Sequence, residues 1–290
     1  MKVHSLAEKD FSDAVGQEDA ARGWSARISD PMRENMLMKQ FASTAMSSTG
    51  NVVPTGVTPP RSAKIHLGPG FRIRLDFDRP APELLEAFEG LDVADISDQM
   101  NRLYAVDPAI KSLAASEKRL IGPACTVRVF PGDNLMVHKS LDVAQPGDVV
   151  VIDARGSSLN AVLGDMVCTK AKHRGIAGFV VDGYVRDIDG VRETGFPVFA
   201  RGTTPVGPLH RGPGEINYPV CCGGVVVHPG DIIVGDSSGI VIVPQAHAIE
   251  IRDRLLDYLR RSADYRRSLR AGTFSNAWVD DILGSLGWRF

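Results

Sequence analysis

The stretch that most restricts how this chain can fold runs from Gln145 to Asp189. It divides into five blocks: QPGDVVVID, ARGSSLNAVLGD, MVCTKAKHRG, IAGFVVDG and YVRDID. Pro146-Gly147-Asp148 is turn chemistry, and Val149 to Ile152 is a β-branched run that reads as a buried strand closed by Gly156. A loop of small residues follows. Met166 to His173 carries helix formers with apolar side chains at Met166, Val167 and Ala171, so Gly164-Asp165 marks a helix start and Gly175 supplies the left-handed stop. Ile176 to Val181 reads as a second strand, Asp182-Gly183 as a turn, and Ile188 to Thr194 as a short helix ended by Gly195 with Pro197 beyond. Strand, helix, strand, helix over so few residues implies a parallel βαβ crossover with polar groups gathered at the strand ends.

That topology puts Asp165 and the pair Arg186-Asp187 at the carboxyl ends of neighbouring strands, where open α/β sheets form crevices. The free N–H groups of Met166 and Val167 at the helix start, with the Arg186 guanidinium, suit a carboxylate. Asp187 suits a hard divalent cation bound through oxygen, with waters completing the shell. Such a site takes a small 2-oxo acid. Taken one at a time, each residue also has an ordinary reading: an aspartate at a helix start is an N-cap, and an isolated arginine is a surface ion-pair partner.

The combination is more specific. Gly164-Asp165, twenty residues (166 to 185), then Arg186-Asp187, embedded in GDVVVID and VVDGYVRD, resembles the signature of the RraA-like family, over roughly Phe88 to Gly239. That family includes metal-dependent 4-hydroxy-4-methyl-2-oxoglutarate / 4-carboxy-4-hydroxy-2-oxoadipate aldolases. The resemblance implies an α/β fold, a β/β/α swivelling-type sandwich, assembled as a homotrimer or homohexamer. It makes Asp187 the direct ligand of Mg²⁺ or Mn²⁺ and has Asp165 act on a water of that ion. Arg186 then binds the pyruvyl oxygens, and the Met166 and Val167 amides, presented by Gly164, hold the carboxylate. Asn217-Tyr218-Pro219-Val220 resembles the family's N-x-P-V element. One position departs: aldolases of this type use a glutamate from the C-terminal helix of the adjacent subunit, but Leu259-Arg260-Arg261-Ser262-Ala263 contains none, leaving Asp257 or Asp264 as substitutes.

Composition excludes other classes. Charged residues are 23% of the chain and the net charge is −2, which gives no electrostatic reason for nucleic acid or an anionic membrane as partner. No apolar run approaches the length of a membrane span, and the first residues, MKVHSLAEKDFSDAVGQEDAARG, lack the apolar core of a secretory signal. The four cysteines, Cys125, Cys168, Cys221 and Cys222, form no C-x-x-C pair, so free buried thiols in a cytoplasmic protein are expected.

Three regions follow along the chain. Residues 1–66 read as an N-terminal arm and linker, with a helix from Met32 to Met46 opened by Ser29-Asp30-Pro31 and a linker-like stretch from Ser47 to Ser62. Residues 67–245 form the catalytic domain. Its expected elements include helices at Pro82–Phe88, Val93–Leu103 (Ile96, Met100 and Leu103 toward the core) and Asn134–Leu141. A strand from Lys118 to Val129 is broken by Gly122-Pro123, and another spans Pro197–Ala200. Pro229-Gly230-Asp231 echoes Pro146-Gly147-Asp148 and leads into a strand, then a turn at Asp236–Gly239 and a last buried strand. Residues 246–290 hold a long helix, His247 to Leu269, with Ile251, Leu255, Leu259 and Ala263 at core spacing, and an apolar tail. His138 reads as a locally satisfied histidine, and Lys170 and Lys172 as solvent-exposed.

The resulting expectation is a metal-dependent lyase that cleaves a 4-hydroxy-2-oxo acid or decarboxylates oxaloacetate through a pyruvate enolate. Two competitors differ in class. One is a protein-binding regulator of RNA degradation, as the family's namesake is. The other is a methyltransferase, disfavoured because no glycine-rich nucleotide loop with its ribose-binding acid follows a first strand.

Overall fold

A computed structural model describes residues 65–113 and 119–289; the arm helix and linker expected before residue 63 lie outside the described residues. The strands are β1 (Phe71–Ile73), β2 (Lys111–Ser112), β3 (Leu120–Val129), β4 (Val149–Ala161), β5 (Gly178–Val185), β6 (Val198–Thr203), β7 (Gly214–Ile216), β8 (Val220–Cys222), β9 (Val225–Val227), β10 (Ile232–Asp236) and β11 (Gly239–Val243). The helices are α1 (Pro82–Glu86), α2 (Val93–Gln99), α3 (Leu135–Val143), α4 (Asp165–His173), α5 (Ile188–Thr194), α6 (Ala248–Ala271) and α7 (Ala277–Ser285).

The centre of the sheet is parallel, β3-β4-β5-β6, as the crossover pattern requires. Strand β7 runs antiparallel to the end of β3, and the β10–β11 hairpin pairs antiparallel with its beginning. Alternation along β4 shows why these runs are apolar at every position. Val150 and Ile152 enter a core covered by α3, α4 and α5, while Val149 and Val151 enter a second core with Leu120, Phe199 and Ile233. A third core lies on the other face of the hairpin, where Ile232, Val234, Val241 and Val243 meet Phe88, Ile96, Ile251 and Leu255. Two layers of strand backed by helices on either side make the β/β/α sandwich that the resemblance implies, ending in the long helix α6.

Several local expectations change. Asp182-Gly183 is not a turn but lies inside β5, because the Asp182 carboxylate is satisfied by Arg201 Nε (2.5 Å) and the Gly223 N–H (2.7 Å). Strand β4 continues through the presumed loop to Ala161, with register shifts after Asp153 and after Ser157. Gly122-Pro123 does not break β3; there the strand's edge passes from β10 to β7. Helix α2 stops at Gln99 because Asn101 and Arg102 are left-handed (φ 54° and 65°), and Leu103 is exposed rather than core. On α6 the buried residues are Ala248, Ile251 and Leu255, and Leu259 packs partly buried against the third core; Ala263 faces solvent. Cys125, Cys168 and Cys222 are buried free thiols, but Cys221 is exposed. Both Pro-Gly-Asp turns close the same way, Asp148 accepting from the Gln145 N–H and Asp231 from the His228 N–H, each at 2.8 Å. Asp148 is also buried and held by Arg79 through Nε and Nη2 (2.9 and 2.7 Å). No helix among the described residues is long and apolar enough to cross a membrane.

Candidate active site

The carboxyl ends of β4 and β5 open into a cleft of about 230 Å³ lined by Gly164, Asp165, Met166, Val167, Arg186 and Asp187, together with Asn134, His138, Lys170, Gly207 and His210. The six positions expected from sequence therefore share one cavity. Val162 donates to the Tyr184 carbonyl (2.9 Å) and Arg186 to the Leu163 carbonyl (3.0 Å), so the backbone leaving β4 is stitched to the backbone leaving β5. Gly164 then starts α4 while Arg186-Asp187 leads into α5.

Asp187 is left-handed (φ 54°, ψ 44°), a conformation that aspartate tolerates better than most side chains. The reversal allows its carbonyl to accept from Val191 (2.9 Å), opening α5, while its carboxylate turns back to the cleft and ion-pairs with Arg186 (Nε–Oδ2 3.1 Å). Glycine is required opposite: a Cβ on residue 164 would stand 2.5 Å from Asp187 Oδ2 and 3.1 Å from Arg186 Cγ. Gly190 leaves similar room for Asp165, whose Cβ and Oδ2 would both lie 2.9 Å from an added methyl. The short side of the site is thus glycine packed against the two acids and the arginine.

Asp165 binds the next residue, its Oδ1 accepting from the Met166 N–H at 2.6 Å, and the Val167 N–H donates to the Gly164 carbonyl at 3.1 Å. Both amides expected to stand open are engaged in this state. A ligand carboxylate would take the Met166 amide only by displacing the Asp165 carboxylate.

The donor set fits a hard cation. Among the described residues no group of three or more His, Cys, Asp or Glu side chains forms a ready-made cage. One exposed carboxylate, Asp187, with a second acid on the same cleft and space left by Gly164, is the arrangement Mg²⁺ or Mn²⁺ uses when waters and substrate fill the remaining positions.

Several cleft residues were not legible from sequence. His138 is not merely satisfied locally: its ring lies edge-on to His210 with centroids 5.7 Å apart, and burial, then the charges of Lys170 and His210, hold its pKa below the usual histidine value. Lys170 and Lys172 are exposed as expected; Lys170 also lines the cleft, and Lys172 donates to the Thr194 carbonyl (2.6 Å). Asn134 is buried, donating through Nδ2 to the Val162 carbonyl (3.0 Å) and facing His210 Nδ1 with Oδ1 (2.6 Å). The signal that could have found it is the buried pair Asp133-Asn134 ahead of an amphipathic helix, polar groups that need partners. The substitute acids on α6 are ion-paired within their own helix, Asp257 with Arg261 (2.8 Å) and Asp264 with Arg267 (2.9 Å).

Comparison with known proteins places the chain in a family. The sequence family described as RraA-like (Aldolase/RraA) matches residues 93–242. A Halalkalibacterium halodurans protein provisionally named 4-hydroxy-4-methyl-2-oxoglutarate aldolase is 45% identical over 163 residues, which is 56% of this chain and 77% of that protein. An Azotobacter vinelandii protein with the same provisional name is 36% identical, covering 52% of this chain and 93% of its own length. The crystal structure of Streptomyces coelicolor RraAS2, described as an unusual member of the RNase ES inhibitor RraA protein family, superposes with a TM-score of 0.60 at 33% identity over 66% of this chain and 99% of that one.

Proposed function

Since this chain belongs to the RraA-like family, we propose that it is a divalent-metal-dependent lyase that releases pyruvate from a 4-hydroxy-2-oxo acid or from oxaloacetate. The observation that carries this reading is the convergence of Asp165, Arg186 and Asp187 on one cleft, with Gly164 leaving room for the Asp187 carboxylate. Asp187 would hold Mg²⁺ or Mn²⁺, and the ion would supply Lewis-acid polarisation of the 2-oxo group.

The chain's own residues account for the rest. Arg186 is fixed by its backbone bond to Leu163 and by its own neighbour Asp187, so its remaining guanidinium N–H groups can bind the 2-oxo acid and face the negative charge that grows on the enolate. Asp165 gives up the Met166 amide to the substrate carboxylate and is then free to hold a proton at Oδ1. Val167 and Leu163, both buried, close the base of the cleft against water. Neither Lys170 nor Lys172 is needed as an imine-forming amine. Assembly as a homotrimer or homohexamer belongs to the same proposal and is checked by sedimentation.

The test is steady-state pyruvate release from oxaloacetate and 4-hydroxy-4-methyl-2-oxoglutarate, with and without chelator. Arg186→Ala and Asp187→Ala should each lower kcat/KM by about 100-fold or more, the range for removing one charge-stabilising group. Full activity in both variants would reject the site. The likeness to the Streptomyces structure favours a second reading, a protein-binding regulator of RNA degradation; an active wild type silenced by those two variants and by chelator would decide against it.

A further inference from the structure

Against the Arg186 guanidinium, Gly207, Pro208 and His210 wall the cleft, and the segment 204–213 that carries them is anchored through its backbone. Ala161 donates to the Val206 carbonyl, Asn160 Nδ2 to the Gly207 carbonyl (2.7 Å), Asn134 N–H to the Leu209 carbonyl (2.9 Å) and Leu209 N–H to the Gly132 carbonyl (2.8 Å). The Arg211 N–H donates to Asp133 Oδ2 (2.6 Å). Two buried neighbours, Asp133 and Asn134, thus clamp three consecutive residues of the wall, and the middle one is His210.

The clamp also sets the imidazole's protonation pattern. The Val162 carbonyl can only accept, so the end of Asn134 facing it is the NH₂ group and the end facing His210 is the oxygen. His210 Nδ1 must then be the donor, which leaves the lone pair on Nε2. We propose that His210, oriented by Asn134, is the catalytic base for the substrate's 4-hydroxyl group in aldol cleavage, a role separate from the enolate-stabilising work of Arg186 and Asp187.

The step balances without a co-reactant. Nε2 takes the proton from the C4 hydroxyl; the C4–O bond becomes a carbonyl as the C3–C4 bond breaks and its electron pair moves into the enolate of the three-carbon fragment. The imidazolium's proton, passed directly or relayed through Asp165, is returned to C3 to give the methyl group of pyruvate, and the imidazole is neutral again. Oxaloacetate has no 4-hydroxyl, so its decarboxylation needs the enolate site but not this base. The charged and titratable groups sharing the cleft with His210 are His138, Lys170, Arg186, Asp165 and Asp187, and Arg211 and Asp133 flank it on the wall.

This proposal rests on the lyase reading, and the two substrates separate their failures. In His210→Gln the ratio of 4-hydroxy-2-oxo acid cleavage to oxaloacetate decarboxylation should fall about 100-fold, the lower end for a general base. Because His210 is exposed at the cleft mouth, added imidazole should restore part of the cleavage activity of His210→Ala. Asn134→Ala should lower the same ratio about tenfold. Nitrogen NMR of the wild type, which needs no turnover, should show His210 protonated at Nδ1. A ratio within about threefold of wild type in His210→Gln, or an Nε2-protonated or mixed ring, would overturn the proposal while leaving Arg186 and Asp187 in place. Wild-type protein that releases pyruvate from neither substrate would overturn the lyase reading and this one together.

Discussion

Gly164→Ala isolates the site from the fold. The backbone at residue 164 is extended (φ −149°), so alanine meets no conformational strain there. What it meets is Asp187: the new Cβ would stand 2.5 Å from Oδ2, against an ordinary contact of 3.4 Å, so the carboxylate must retreat by 3.4 − 2.5 = 0.9 Å, and Arg186 Cγ at 3.1 Å must give as well. Misplacing reacting groups by about 1 Å can cost about 100-fold in rate, or about 2.7 kcal/mol of transition-state stabilisation. The price in stability is far smaller, because the displaced atoms end side chains that are 34% and 43% exposed and an ion pair of that kind contributes about 0–1 kcal/mol. Metal titrations and pyruvate release should therefore show kcat/KM down about 100-fold with weakened dependence on added Mg²⁺, while the thermal midpoint moves by no more than about 4 °C. Catalysis within about threefold of wild type would refute the claim that Asp187 must sit against residue 164; a midpoint lowered by more than about 10 °C would show that the glycine serves folding instead.

Other expectations concern the scaffold. Arg79→Ala leaves the Asp148 carboxylate buried with only the Gln145 amide, and should destabilise by about 3 kcal/mol in denaturant melts; a loss under about 1 kcal/mol would mean water reaches that carboxylate. Burial pushes the Cys125 and Cys168 thiols up to about 12 and Cys222 well above its usual value, so alkylation of the native protein should label Cys221 quickly and the other three only on unfolding, as read by mass spectrometry. His138 has its folded pKa held below the unfolded value of about 6.5. The unfolded chain therefore binds the proton more readily, and stability is retained above that value and declines as pH falls below it. His138→Asn should flatten this acid-side decline, and an unchanged slope between pH 7 and 5 would count against the burial argument.

Gly195 and Gly175 stop their helices in the left-handed conformation, and Val149–Ile152 is buried on both faces, because glycine's freedom and β-branched packing act over a few residues and can be read from them directly. The same holds for Asp165, Arg186 and Asp187: a parallel crossover brings successive strand ends together whatever else the chain does. Asp182-Gly183 misled because a carboxylate inside a strand is stable only when a distant arginine, Arg201, meets it, and that pairing is tertiary. Leu103 and Ala263 carried the right spacing for burial but stand exposed, because spacing alone does not supply a packing partner. His210 and Asn134 are 76 residues apart, and His138 and Lys170 belong to separate helices, so nothing periodic links them. Short-range rules therefore determined the buried Val149–Ile152 run, the glycine helix stops and one wall of the cleft. The wall with the oriented imidazole exists only because the folded backbone carries segment 204–213 across to Asp133 and Asn134, and buried polar groups must find partners wherever the fold supplies them.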